Sequence, residues 1–200
     1  MRKLVIKTAS ITLAVTIGLM FLLFGALCLF SPKSVAKTFE SLGGQSVSIF
    51  FYEKQYDKTE NIDDLYVLVL NLDYQKNASK TREYLTEFLS IDGVKDYCKN
   101  LDTSNSKMST YEYLSGKCAC AIYLDTGIGD TIRFLEQSVA DGYGDYNAYS
   151  MVISEFSDVL TDEELIAIKT SIQSLSRSNQ YTNRDINIIN ELLGENHGDN

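Results

Sequence analysis

From Thr8 to Pro32 no residue is charged, and Lys7 and Lys33 are the charges on either side of the run. TASITLAVTIGLMFLLFGALCLFSP is long enough for a bilayer, which takes about 20 apolar residues in a helix. The pattern therefore predicts a transmembrane helix over residues 8–31, preceded by a short amino-terminal segment, 1–7. Beyond it the spacing changes, and apolar residues recur three and four positions apart. In PKSVAKTFESLG, Val35, Phe39 and Leu42 share a helix face, with Pro32 in the first turn and a glycine stop at Gly43. In SVSIFFYEKQYDKT, Ile49, Tyr52 and Tyr56 form one face and Glu53, Lys54, Asp57 and Lys58 another.

The same reading predicts a second pair of helices in NIDDLYVLVLNLDYQKN and ASKTREYLTEFLSI. Leu65, Leu68, Val69 and Leu72 stripe the first of these, and Tyr84, Leu85 and Phe88 the second. A third pair runs from about Ser109 to Asp141 and turns near Thr126–Gly129. The fourth is NAYSMVISEFSDVL followed by TDEELIAIKTSIQSL, with a capping box between Thr161 and Glu164. NRDINIINELLG then covers the open end through Ile186, Ile189 and Leu193, and residues 195–200 are a disordered tail. The expected organisation is all-α: a membrane helix followed by a repeat domain, residues 32–194, of about four antiparallel hairpins. Second helices begin near Ser46, Ala78, Gly129 and Asp162, at intervals of about 32, 51 and 33 residues, the long one falling at the polar stretch KNLDTSNSKMST. A single hairpin is too small to bury its apolar face, so stacking is required.

Arg2, Lys3 and Lys7 precede the span, whereas Lys33 and Lys37 follow it with Glu40. That asymmetry favours a cytoplasmic amino terminus and a domain on the outer face of the membrane. Ser34-Val35-Ala36 would serve a cleaved signal peptide, but the apolar run exceeds the 7–15 residues or so of such a leader. Leu27 before Cys28 does not fit lipidation, which requires a small residue there. Ser10, Ala14 and Gly18 place small residues on one face, the pattern through which two spans dimerise.

Charge narrows the partners. Past residue 30 there are 15 Lys and Arg against 27 Asp and Glu, a net charge of about −12. Phosphate backbones and anionic headgroups repel such a surface, so nucleic acid is not the expected partner and another protein is. Lys, Asn, Ile and Tyr usage suggests an AT-rich bacterial source. Cys98, Cys118 and Cys120 form no regular disulfide or zinc spacing, and the one histidine, His197, lies in the polar tail. No metal or cofactor is expected, and the cysteines read as small core residues.

The first hairpin resembles the tetratricopeptide repeat family. Ala36 stands at the small position of the first helix, Phe39 at the aromatic one, Gly43 at the turn, Ser48 at the small position of the second helix and Tyr52 at its aromatic position. Tyr52-Glu53-Lys54 is similar to the usual family string, whereas Gln55, Glu60 and Pro32 depart from the alanine, proline and tryptophan of the pattern. In the third unit Cys118 and Ala119 take the Leu and Gly positions. The resemblance implies a right-handed superhelical stack with a concave groove for peptides or partner proteins.

One string carries a catalytic look. Asp125-Thr126-Gly127, after Ile122-Tyr123-Leu124 and before Leu192-Leu193-Gly194, resembles the active-site sequence of retroviral-type aspartic proteases. In such an enzyme Asp125 would share a proton with its copy across a two-fold axis. That fold is all-β, whereas Ile132, Leu135 and Val139 follow at helical spacing; the same letters also make an ordinary turn. Asp63-Asp64 and Glu163-Glu164 sit at helix starts, where they complement the dipole. Of thirteen tyrosines, Tyr111, Tyr113, Tyr143, Tyr146 and Tyr149 gather near loops and helix starts, and they are the candidate partner-binding residues. The expected function is a membrane-anchored adaptor without catalysis.

Overall fold

The computed structural model describes residues 2–102, 108–140, 146–175 and 180–194, with the side chains of residues 2–11, 146 and 180–182 outside that description. Eleven helices and no strand are found among the described residues: α1 Arg2–Phe30, α2 Pro32–Ser41, α3 Gln45–Thr59, α4 Ile62–Asn71, α5 Ala78–Leu89, α6 Val94–Leu101, α7 Thr110–Thr126, α8 Ile128–Ala140, α9 Tyr146–Phe156, α10 Asp162–Ser174 and α11 Gln180–Leu192. The all-α expectation holds. Among the described residues one helix is long and apolar enough to cross a membrane, over Thr12–Phe30. The chain falls into two compact units, residues 1–71 and 72–200.

In the first unit α2 packs against α1 and α3, and α3 packs against α4. Pro32 occupies the first turn of α2, where its missing N–H costs no helical hydrogen bond. The turn into α3 uses Gly43 at φ +76, a left-handed conformation open to glycine. Gly44 has a second reason to be glycine, since a Cβ there would meet the Phe39 ring and the Phe39 carbonyl, each at 3.2 Å. Ala36 and Ser48 are fully buried and Tyr52 nearly so, while Phe39 stacks on Phe51 at 6.1 Å. Asp64 opens α4, yet it is buried and joins three helices. Its carboxylate accepts from Lys33 Nζ of α2 at 2.5 Å, and from Gln55 Nε2 and Thr59 Oγ1 of α3, both at 2.9 Å. The dipole alone therefore does not account for it.

The second unit is organised around α7, which packs against α5, α6, α8 and α9. Nine consecutive α7 residues, Leu114–Ile122, are buried. A helix buried all round has no amphipathic stripe, and it needs small side chains where several neighbours converge. Ser115, Gly116, Cys118, Ala119, Cys120 and Ala121 meet that need. At Gly116 an added Cβ would lie 2.6 Å from Met151 Sδ of α9. The core continues through Leu135, Tyr149, Ile153, Ile168, Ile172 and Ile189.

Two capping boxes fix helix starts. Thr161 and Glu164 form the one read from sequence, and Ser109 and Glu112 form another at the start of α7. One element differs from expectation. Val94–Leu101 is the helix α6, in and just before the stretch read as a polar loop. It is eight residues long, turns only Val94 and Cys98 fully inward, and begins at Gly93 with φ +78. With α6 in place the helices pair differently along the chain. First members begin at residues 32, 62, 94, 128 and 162 and second members at 45, 78, 110, 146 and 180.

Candidate binding groove

A groove of about 490 Å³ opens in the second unit. It is lined by the carboxyl end of α5, the turn Ser90–Gly93, the first turn of α6, Tyr111 of α7, and Phe134, Gln137 and Ser138 of α8. Helix α5 ends at Ser90, whose hydroxyl donates to the Glu87 carbonyl at 2.7 Å, and Gly93 supplies the left-handed step that lets α6 start at once. Lys95 lies over the Tyr111 ring, 5.6 Å from its centre, so the aromatic face meets a cation. Asp92 and Asp96 add carboxylates to the rim. The lining therefore combines aromatic rings, aliphatic side chains, hydroxyls and charges of both signs.

Of the five candidate tyrosines, Tyr111 lies in this groove. Tyr113 is on α7 as well, 42% exposed, and two residues further it points about 200° away around the helix. Tyr149 is enclosed, and its hydroxyl lies 2.9 Å from Ser171 Oγ. Because Ser171 donates its proton to Glu136 at 2.8 Å, Tyr149 donates to Ser171, and the relay ties α9 to α10 and α8. As a core residue Tyr149 presents no surface to a partner. Tyr143 lies outside the described residues, as does the Tyr146 side chain.

Asp125 is in the last turn of α7 and its carboxylate pairs with Arg82 of α5 at 2.9 Å. The Thr126 hydroxyl donates to the Ile122 carbonyl at 3.1 Å, and Gly127 at φ +89 ends the helix. Asp-Thr-Gly is thus a helix terminus here, and the described residues do not build the all-β frame that the protease motif requires. Cys98, Cys118 and Cys120 are buried thiols. Burial pushes Cys98 up to about 11 and Cys118 and Cys120 up to about 12, so all three are protonated at neutral pH. Among the described residues no group of three His, Cys, Asp or Glu is gathered closely enough to hold a metal ion. His197 lies outside them. Ala14 and Gly18 are exposed on α1, while the Ser10 side chain is not described.

Reading KCACAIYL for its cysteines missed its lysine. Lys117 is 4% exposed within α7, and burial lowers its ammonium to about 8 against the opposing pull of Asp73. Elsewhere in the second unit, Tyr74 is raised above the ordinary phenol range by burial and by its hydrogen bond to Glu155. The available signal was a lone cation inside a run of small and apolar residues, Leu114–Leu124. The chain matches no family model, and comparison with curated proteins and with solved structures finds no match for it either.

Proposed function

We propose that this chain is a membrane-anchored scaffold that binds another protein and performs no chemistry itself, with a tetratricopeptide-like stack of helix pairs as the binding domain. The observation that carries this reading is the period of the helix starts. First members of the pairs recur at 30, 32, 34 and 34 residues and second members at 33, 32, 36 and 34, close to the ~34 of a tetratricopeptide unit. Packing in the second unit supports it further. Helices α5, α7, α9 and α11 follow one another as neighbours, and α8 lies against α10, the two rows that stacked hairpins make. The groove beside Tyr111 is the candidate seat for a partner.

The uncharged helix Thr12–Phe30 supports a single-pass anchor, and the lysine and arginine asymmetry around it supports a cytoplasmic amino terminus with the helical units outside. Ala14 and Gly18, open on α1, favour a homodimer through the face they share with Ser10. A partner protein is favoured over nucleic acid by the acidic surface.

Photo-crosslinking in native membranes tests the reading. A crosslinking residue at Tyr111 or Gln137 should give one discrete adduct with another protein, and a crosslinker at Glu163, an exposed site on α10, should not. Adducts only between copies of this chain would replace the adaptor with a homo-oligomer. Loss of function in Asp125→Asn with the fold intact would reopen the enzymatic reading.

A further inference from the structure

The corner between α2 and α3 carries exposed apolar side chains that the first unit leaves uncovered: Leu42 at 75%, Phe50 at 49% and Val47 at 41% exposed. Their position relative to α1 indicates what covers them. Phe24, six residues before the end of α1, meets Phe39 of α2 edge to face at 6.4 Å. Phe39 stacks on Phe51 at 6.1 Å, and Phe51 meets Phe50 edge to face at 5.3 Å. A continuous row of rings therefore leads from inside the candidate span to the exposed corner. The other end of the hairpin is level with the end of α1, because Pro32 follows Phe30 after one residue and Lys58 Nζ of α3 donates to the Phe30 carbonyl at 3.4 Å. The hairpin thus folds back along α1, with its corner nearer the bilayer than its open end. Phe24 lies about 9 Å below Phe30 at 1.5 Å per residue.

The geometry points to a second membrane contact: the α2–α3 corner inserts Leu42, Val47 and Phe50 into the leaflet beside the anchor. This inference rests on the reading of Thr12–Phe30 as a membrane anchor. The depth agrees with that of interfacial helices, whose apolar faces enter the headgroup and acyl boundary by about 5–10 Å. Charges around the corner are compatible with it. Lys54 lies over the Phe50 ring at 5.1 Å, a flexible cation that reaches the headgroups while its stem stays with the apolar face. Lys37 is exposed on α2. Glu40, the carboxylate of α2, is exposed as well, and it accepts from the Tyr52 hydroxyl at 2.6 Å. The anchor and corner together would hold α2 and α3 against the membrane, a more defined seat than a flexible tether gives.

The test uses the full chain in phosphatidylcholine vesicles with and without a nitroxide-bearing lipid. A polarity-sensitive thiol fluorophore is placed at Phe50→Cys or Val47→Cys, with Leu22→Cys reporting on the span and Glu163→Cys on a distant surface. The unsubstituted chain serves as the labelling background, and helical content is checked for each variant. The expected result is a blue-shifted emission that nitroxide lipid largely abolishes at Leu22→Cys, Phe50→Cys and Val47→Cys, and leaves unchanged at Glu163→Cys. Quenching at Leu22→Cys without quenching at the corner would overturn the second contact and leave the anchor standing. No quenching at Leu22→Cys would remove the anchor and this inference with it. Crosslinks between two copies through Phe50→Cys, without lipid quenching, would assign the corner to a homodimer and overturn the membrane contact.

Discussion

Asp64 is a carboxylate that is 4% exposed, and its energetics follow from what surrounds it. Burial raises its pKa, but hydrogen bonds from Lys33, Gln55 and Thr59, together with the Lys33 charge, outweigh that and hold it below the ordinary range. A folded value below the unfolded one stabilises above the unfolded pKa of about 3.9, and the contribution is lost as pH falls through the folded value. Asp64→Ala should thus cost about 2 kcal/mol near neutral pH, since hydrogen bonds to charged groups are worth about 1.5–3 kcal/mol. Thermal unfolding of both chains across pH checks this, and the gap should close in acid. Lys117 has the opposite profile. Its folded value near 8 lies below an unfolded lysine's, at about 10.4, so the unfolded chain binds the extra proton and stability rises between those two values. Lys117→Met should lack that alkaline rise. Thermal unfolding of the two chains from pH 7 to about 11 checks this, and an alkaline rise that persists in the variant would assign it to another group.

At the scale of the element, α7 sets the second unit, and two substitutions separate its packing from its capping. Gly116→Val should destabilise by about 2 kcal/mol because added methyls overpack the approach of Met151. Met151→Ala in the same chain should recover part of the loss, a non-additivity that a double-mutant cycle measures. Ser109→Ala removes half of a capping box and should cost about 1 kcal/mol, with Thr161→Ala behaving alike at α10. These elements also show what could be read without coordinates. Residues with strong stripes and clear stops, such as Leu65, Leu68 and Val69 or the Thr161 cap, announced their helices. Helix α6 escaped although Val94, Tyr97, Cys98 and Leu101 sit at helical spacing, because its two turns are short and run on into the polar residues Asp102–Ser109, and missing it displaced the pairing of the later helices. The groove was half visible. Tyr111 could be named for its type, but its place in one lining with Phe134 depends on how α7 and α8 pack, which no local pattern records. Tyr149 misled for the same reason, since a tyrosine at a helix start serves a surface in one fold and a core in another, and here the bond to Ser171 decides it.

Across the whole molecule the charge is unevenly shared. Residues 32–71 carry four lysines against six acidic residues, whereas residues 72–200 carry eleven basic against twenty-one. The first unit, with Arg2, Lys3 and Lys7, is close to neutral, and the acidity belongs to the second. An apolar corner of three side chains is a weak membrane signal by itself, of the order of a single lipid chain, which holds a protein only reversibly. A chain that starts at Pro32 should therefore leave the membrane fraction. Its residual affinity in vesicle flotation should fall as anionic lipid replaces phosphatidylcholine, because about −12 of net charge faces a negative surface. Raising salt from low to physiological ionic strength should restore part of it, as the screening length shortens to about 8 Å. If the truncated chain instead floated more strongly with anionic vesicles, the lysines around the corner, Lys37 and Lys54, would dominate the approach over the acidity of the second unit. Retention of the full-length chain under all these conditions would complete the comparison, since an inserted helix of nineteen uncharged residues is insensitive to surface charge.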